Sequence, residues 1–183
     1  MDTATILTRL EKFEGRIAHM YVCTGGEVTI GIGHAIHGAD DAVKLTWTLN
    51  GQTAAEAQIR SDFARVAAAP KGLAASGYAS LSSCRMADPA IDALAASDVV
   101  LFAASIAGAL PNWNRYPACV QAALFDMAFN LGVAGLQKFH KLLAACDAGD
   151  WATAANESHR TGIGEGRNQE TASLFRQALI KET

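Results

Sequence analysis

A mostly helical α+β fold, with a small hairpin lobe ahead of a larger helical lobe, is what these 183 residues predict. Half of the residues are hydrophobic and alanine is abundant, a composition that favours helix. Apolar residues recur at helical spacing along most of the chain. Residues 17–33 depart from it, being rich in β-branched residues and glycine, and read as two or three short strands. The length suits one domain over residues 1–183 with a substantial core. Within it, residues 1–68 form the N-terminal lobe and a linking helix, and residues 69–183 the helical lobe.

Ile6, Leu7, Leu10 and Phe13 set a helix from about Thr3 to Glu14, which Gly15 can end in a left-handed conformation. Thr24-Gly25-Gly26-Glu27 is the hairpin turn, with both glycines available for positive φ. Residues 35–51 read as an irregular linker. Thr53 and Glu56 then have capping-box spacing, opening a helix through Ile59, Phe63 and Val66 that stops before Pro70. Asp88-Pro89 starts another helix, and Asp98 caps a further one ending before Pro111. Pro117 opens the most apolar helix, with Val120, Ala123, Leu124, Met127, Ala128 and Leu131, closed by Gly132. Leu136, Phe139, Leu142 and Leu143 begin the next. Asp150 caps a helix at Trp151, and Leu174, Phe175, Ala178 and Leu179 mark the last.

The net charge of −3 argues against nucleic acid as a partner and gives no general attraction to an anionic surface, although it leaves room for a local basic cleft. The apolar run Val99–Leu110 is too short and alanine-rich to span a bilayer, so membrane insertion is not expected. No basic and apolar leader is visible at the N-terminus, which points to synthesis in the cytoplasm. Cys23, Cys84, Cys119 and Cys146 lack paired metal-ligand spacing and are expected to be free thiols. His34 and His37 form an H-x-x-H without an accompanying carboxylate on a helix, so no metal is expected.

The densest chemistry lies between Glu14 and His34. Eight residues separate Glu14 from Cys23, and five separate Cys23 from Thr29. A hairpin folding back toward the end of the first helix brings all three side chains toward one cleft. A glutamic acid, a second group to handle water and a hydroxyl are the parts that glycoside hydrolysis needs. Thr29, Gly31 and Gly33 fall on one side of an extended strand, and the glycines leave that side open.

This spacing resembles that of the phage-type lysozymes, in which Glu is followed by Asp, sometimes Cys, and then Thr. Residues 121–132, Gly149-Asp150-Trp151, and residues 162–168 with Leu174-Phe175 are similar to later motifs of the same family. The resemblance covers roughly residues 4–68 and 117–180, and residues 71–116 are a longer, less familiar insert. It implies a lysozyme-like fold with a substrate groove between lobes. The implied activity is cofactor-free cleavage of the β-1,4 bond from N-acetylmuramic acid to N-acetylglucosamine in peptidoglycan. In this reading Glu14 is the general acid, Cys23 the base or nucleophile, and Thr29 the hydroxyl that positions water. Cys23 stands where an Asp is usual, and a buried small hydrophobe is its alternative reading. The resemblance further implies that Phe129, Asn130 and Gly33 line the groove and that His34 pairs with Asp62. Arg167 would hold the C-terminal loop or reach a peptide stem.

The expected partners are peptidoglycan glycan strands acted on by a monomer. Two settings fit: a phage endolysin released through holin pores, or an effector injected into a rival's periplasm with an immunity protein or secretion component as partner. A non-catalytic lysozyme-like module that binds glycan or assembles with proteins is the alternative.

Overall fold

The structure, a computed structural model, describes residues 2–180. Helix α1 (Thr3–Glu14) leads into an antiparallel sheet of β1 (Ile17–Val22), β2 (Val28–Gly31) and β3 (His34–Ile36). A short helix α2 (Ala39–Val43) precedes the ribbon β4 (Thr48–Leu49) and β5 (Gln52–Thr53). Then come α3 (Glu56–Ala67), a 3₁₀ turn at Ala75–Tyr78, and the long α4 (Asp88–Ala109). A second 3₁₀ turn at Trp113–Arg115 leads to α5 (Ala118–Leu131), α6 (Val133–Leu136), α7 (His140–Ala148), α8 (Trp151–Glu157) and α9 (Glu165–Ile180). The fold is thus α+β and mostly helical with a small antiparallel sheet, as the composition and periodicity require.

Packing divides the described residues into two compact units, residues 9–98 and residues 2–8 with 99–180. The division falls after Asp98 and not after residue 68, so residues 69–98 belong with the sheet.

In the sheet unit, Gly15 (φ +78°) ends α1 and its N–H donates to the Glu11 carbonyl at 2.9 Å. A side chain would strain this left-handed position, which glycine adopts freely. Met20, Val22, Val28, Ile30, Trp47, Ile59 and Val66 are buried. Burying each such aliphatic side chain stabilises by roughly 1.5–3 kcal/mol. Trp47 is fixed by its indole N–H, which donates to the Ala42 carbonyl at 2.7 Å.

The buried carboxylate of Asp62, on α3, organises the segment that follows. It accepts the backbone N–H groups of Ser83 (2.6 Å) and Cys84 (2.7 Å) and the Gln58 amide (2.7 Å), and it also meets Arg65 and Ser82. Held there, Arg85 exchanges both backbone hydrogen bonds with Thr48, and the Met86 N–H donates to the Ala18 carbonyl of β1.

Several local expectations are corrected. Residues 35–51 are not simply linker, since they contain β3, α2 and β4. Helix α3 starts at Glu56 without a side-chain cap, because Thr53 pairs with Thr48 across the β4–β5 ribbon. Of the two turn glycines only Gly26 has positive φ (+91°). Helix α4 runs unbroken through Asp98, which therefore caps nothing.

The buried residues Ile91, Ala95, Val99, Ala103 and Ile106 recur every three or four positions along α4, the stripe of a core helix. Val100 and Leu101 lie on its exposed side. By length and mean hydropathy (1.8 over 18 residues) α4 could also cross a membrane, a test that core helices of soluble proteins pass too. In the helical unit, α5 is buried from Val120 to Ala128 and ends at Gly132 (φ +71°). Asp150 caps α8 by accepting from the Thr153 N–H at 3.0 Å. Helix α9 turns Leu174, Phe175 and Ala178 inward.

Removing the Asp62 carboxylate leaves the buried Cys84 N–H and the part-buried Ser83 N–H without their acceptor. Asp62→Ala should cost about 3 kcal/mol or more, read as a fall in chemical-denaturation midpoint. Burial raises the Asp62 pKa, but the Cys84 N–H, the Gln58 amide and the Ser83 N–H outweigh it and hold the group below the usual carboxylate range. Its contribution is present above the ordinary carboxylate pKa and lost as pH falls through the folded value. Asp62→Asn should therefore flatten the acid side of the stability profile, and an unchanged acid slope would remove Asp62 from that role.

Candidate active site

The hairpin gathers a set of polar groups on one face. In the β1–β2 register Tyr21 stands opposite Thr29 and Val22 opposite Val28. Directly opposed residues share a face, and side chains alternate along a strand, so Tyr21, Thr29 and Cys23 lie on the same side. The Cys23 N–H donates to the Glu27 carbonyl (3.0 Å), and the Gly26 N–H to the Cys23 carbonyl (2.9 Å), closing a tight turn. The turn curls around the sulfur, and a Cβ on Gly25 would lie 3.5 Å from Cys23 Sγ.

This turn decides the chemistry of Cys23. Burial raises the pKa of its thiol. The backbone N–H of Glu27, the Thr29 hydroxyl and the backbone N–H groups of Gly25 and Gly26 more than offset that, and the thiol lies below its ordinary value. Cys23 as a residue is part-exposed, and it is not in a disulfide. Thr29 is buried, with 3% of its surface exposed, and its hydroxyl also donates to the Glu27 carbonyl at 3.0 Å. One hydroxyl proton serves two acceptors, so the charge state of the sulfur selects between them. Cys84 and Cys146 contrast with this: burial raises their thiols to about 11 and about 12.

Glu14 closes α1 and is part-buried. Tyr21 links it to the hairpin. The Tyr21 phenol is raised to about 12 by burial, then by Cys23 and by Glu14. Both acidic groups therefore lie within electrostatic reach of one phenol, and Glu14, Cys23 and Thr29 all belong to the sheet unit.

The insert supports this hairpin. The Lys71 side chain lies across the turn, its Nζ and Cε filling the space that a Cβ on Gly26 would need. His19 Nε2 is 2.8 Å from the Ala75 carbonyl, and the Tyr78 hydroxyl donates to the Pro70 carbonyl at 2.7 Å.

Other expected placements change. His34 Nδ1 is 2.8 Å from Asp98 Oδ2 and does not pair with Asp62, whose carboxylate is already filled by α3 and residues 82–84. The continuous α4 is what carries Asp98 to β3. Gly31 (φ +67°) and Gly33 (φ +81°) form the β2–β3 turn, so Gly33 does not extend the face of Thr29. At Gly31 a Cβ would touch the Ile91 side chain at 3.4 Å, so this glycine admits a core residue. His37 faces Glu27 at 3.8 Å, both exposed. Among the described residues no three His, Cys, Asp or Glu side chains gather as a metal would need.

The helical unit holds the remaining candidates. Phe129 stacks on Phe125 (centroids 6.3 Å) and meets Phe102 edge-on, forming an aromatic cluster. Asn130 accepts a hydrogen bond from Arg160. Arg167 donates to Asp126 Oδ1 at 3.0 Å, and Arg160 donates to Asp126 Oδ2 at 3.0 Å, with Thr171 closing the network. Sequence reasoning does not reach Tyr21, Asp98, Asp126 or Arg160 as members of these sites. Asp126 carries a signal, because a carboxylate within an otherwise apolar helix needs a cation. Arg160 carries none.

No model of a known protein family matches the chain. It is 30% identical over 147 residues to the pre-baseplate central spike protein Gp5 of Enterobacteria phage T4. The match is to a phage protein. It covers 79% of this chain and 22% of that protein, so the chain spans about a fifth of the length of the relative.

The environment of Cys23 makes a direct prediction. In a Cys119→Ser background, iodoacetamide should modify Cys23 first, with a rate midpoint below that of an ordinary free thiol. Cys84 and Cys146 should stay protected. Thr29→Val should move the Cys23 midpoint upward, and a midpoint indifferent to that change would show that the hydroxyl does not serve the sulfur.

Proposed function

We propose that this chain is a muramidase of the phage-type lysozyme kind, hydrolysing the β-1,4 bond between N-acetylmuramic acid and N-acetylglucosamine in peptidoglycan. The supporting observation is the thiol cradled by Thr29 and the turn N–H groups, beside a phenol that also feels Glu14. Glu14 in its acid form gives a proton to the leaving glycosidic oxygen. The Cys23 thiolate takes a proton from water as the water oxygen bonds to the anomeric carbon. Thr29 turns its hydroxyl to the sulfur while the sulfur is charged. The residues act without a cofactor. Gly33 shapes the turn beside the hairpin, and Phe129 and Asn130 contact the glycan.

A second reading is favoured by the match to a central spike protein. The chain would then be a lysozyme-like module carried in a longer spike-type assembly, binding glycan or partner proteins without cutting. Release as an endolysin or injection as an effector are settings for the first reading.

Clearance of purified peptidoglycan separates the two. Glu14→Gln should lower turnover by at least about 10²-fold with the fold intact, since the amide keeps the shape but cannot donate the proton. Cys23→Ala should fall comparably, whereas Cys23→Asp should stay within about tenfold of wild type, because a carboxylate is ionised at neutral pH. Wild-type protein without any clearance would leave the binding-module reading standing. Full activity in Cys23→Ala would make the thiol a packing residue.

A further inference from the structure

The helical unit holds a cavity of about 550 Å³ where α7 begins. Small-molecule sites span roughly 300–1,000 Å³, so this one has room for a ligand of a few rings at most. Phe139, His140, Lys141 and Leu142 line it from the N-cap and first turn of α7, and Lys138 from the residue before. Glu157 and His159 close it from the end of α8 and the segment that follows. Leu142 is buried and Phe139 part-buried, which makes part of the wall apolar.

The charges in this wall do not cancel. Lys138 and Lys141 bring two positive charges and Glu157 one negative charge. Neither lysine forms an ion pair or hydrogen bond with another described residue, and Glu157 forms none either. His159 Nε2 lies 3.4 Å from Glu165 Oε2, but Glu165 is not part of the wall. His140 brings a further ring that can donate. The positive end of α7, which starts without a side-chain cap, adds to the field of the side chains. In a chain of net charge −3 this is a local reversal of sign.

The cations come from three stretches of chain: ahead of α7, within its first turn, and after α8. A planar carboxylate presents its two oxygens along one edge. A phosphoryl group carries roughly two negative charges at neutral pH and three strong acceptor oxygens, which suits donors arriving from several directions. Phe139 and the aliphatic stems of the lysines offer an apolar surface to whatever carries that group. The C–H face of a sugar ring fits such a surface, and its hydroxyl groups can stay in water at the open side.

We propose that this cavity binds a sugar phosphate, with the phosphoryl group between Lys138 and Lys141 and the ring against Phe139. All of these residues belong to the helical unit, so binding here stands whether or not the hairpin of the sheet unit hydrolyses glycan.

The probes are N-acetylglucosamine 6-phosphate, neutral N-acetylglucosamine and inorganic phosphate, each titrated into the ¹⁵N-labelled full chain at neutral pH. The backbone resonances of Lys138, His140, Lys141 and His159 should shift along one isotherm with the sugar phosphate and stay in place with the neutral sugar. Inorganic phosphate should move the same resonances with about tenfold weaker affinity, since it has no ring to meet Phe139. A variant carrying both Lys138→Ala and Lys141→Ala should bind the sugar phosphate at least about tenfold more weakly. It should melt as the wild type, because both side chains are exposed and bonded to nothing. Replacing both lysines by arginine should keep the affinity. Unmoved resonances, equal binding of the neutral sugar, or an unchanged affinity in the double alanine variant would overturn the proposal. Binding to phosphatidylglycerol vesicles without binding to the sugar phosphate would overturn it too, and would make the cations a lipid contact.

Discussion

A single carboxylate, Asp62, holds the sheet unit in register. Its acceptor sites are taken by consecutive backbone N–H groups and by side chains from α3, and the strand-like segment it captures bonds in turn to β4 and β1. A buried charge is costly to strand and strongly directional when satisfied. Here that direction does architectural work, because residues 82–86 have little regular structure of their own. The hairpin that carries Cys23 is thus braced through Ala18 from one side and through the 70–78 segment from the other.

The helical unit solves an analogous problem with the opposite arrangement. Asp126 sits among apolar neighbours on α5 and is met by two arginines and Thr171. In the sheet unit the carboxylate gathers backbone; in the helical unit it gathers side chains from α9 and the loop before it. Both anchors are buried acids, and the second also brings Arg160 to the Asn130 side chain.

Much of this was legible in the sequence. The bounds of α1, its glycine stop and the hairpin follow from strong local signals, apolar spacing and glycine chemistry, and the spacing of Glu14, Cys23 and Thr29 is what singles out the hairpin as the candidate site. Elements of two to five residues, such as α2 and the β4–β5 ribbon, leave too short a pattern to read. Thr53 and Asp98 misled because their residue types suit a helix cap while tertiary partners claimed them. His34 and Asp98 meet across 64 positions of chain, a distance over which local pattern carries no information. Arg160 was invisible for the same reason, since only the fold reveals that it is buried.

The crossing of Lys71 over Gly26 binds two stretches of sequence into one inheritable piece. The turn tolerates no side chain at residue 26, both because of its backbone conformation and because the lysine already fills that space. Drift in the loop and drift in the hairpin are therefore not independent. Transplanting the hairpin alone into a related scaffold would leave its tip without the cover that fits it, whereas moving residues 15–36 together with 69–86 carries the thiol and its brace as one module.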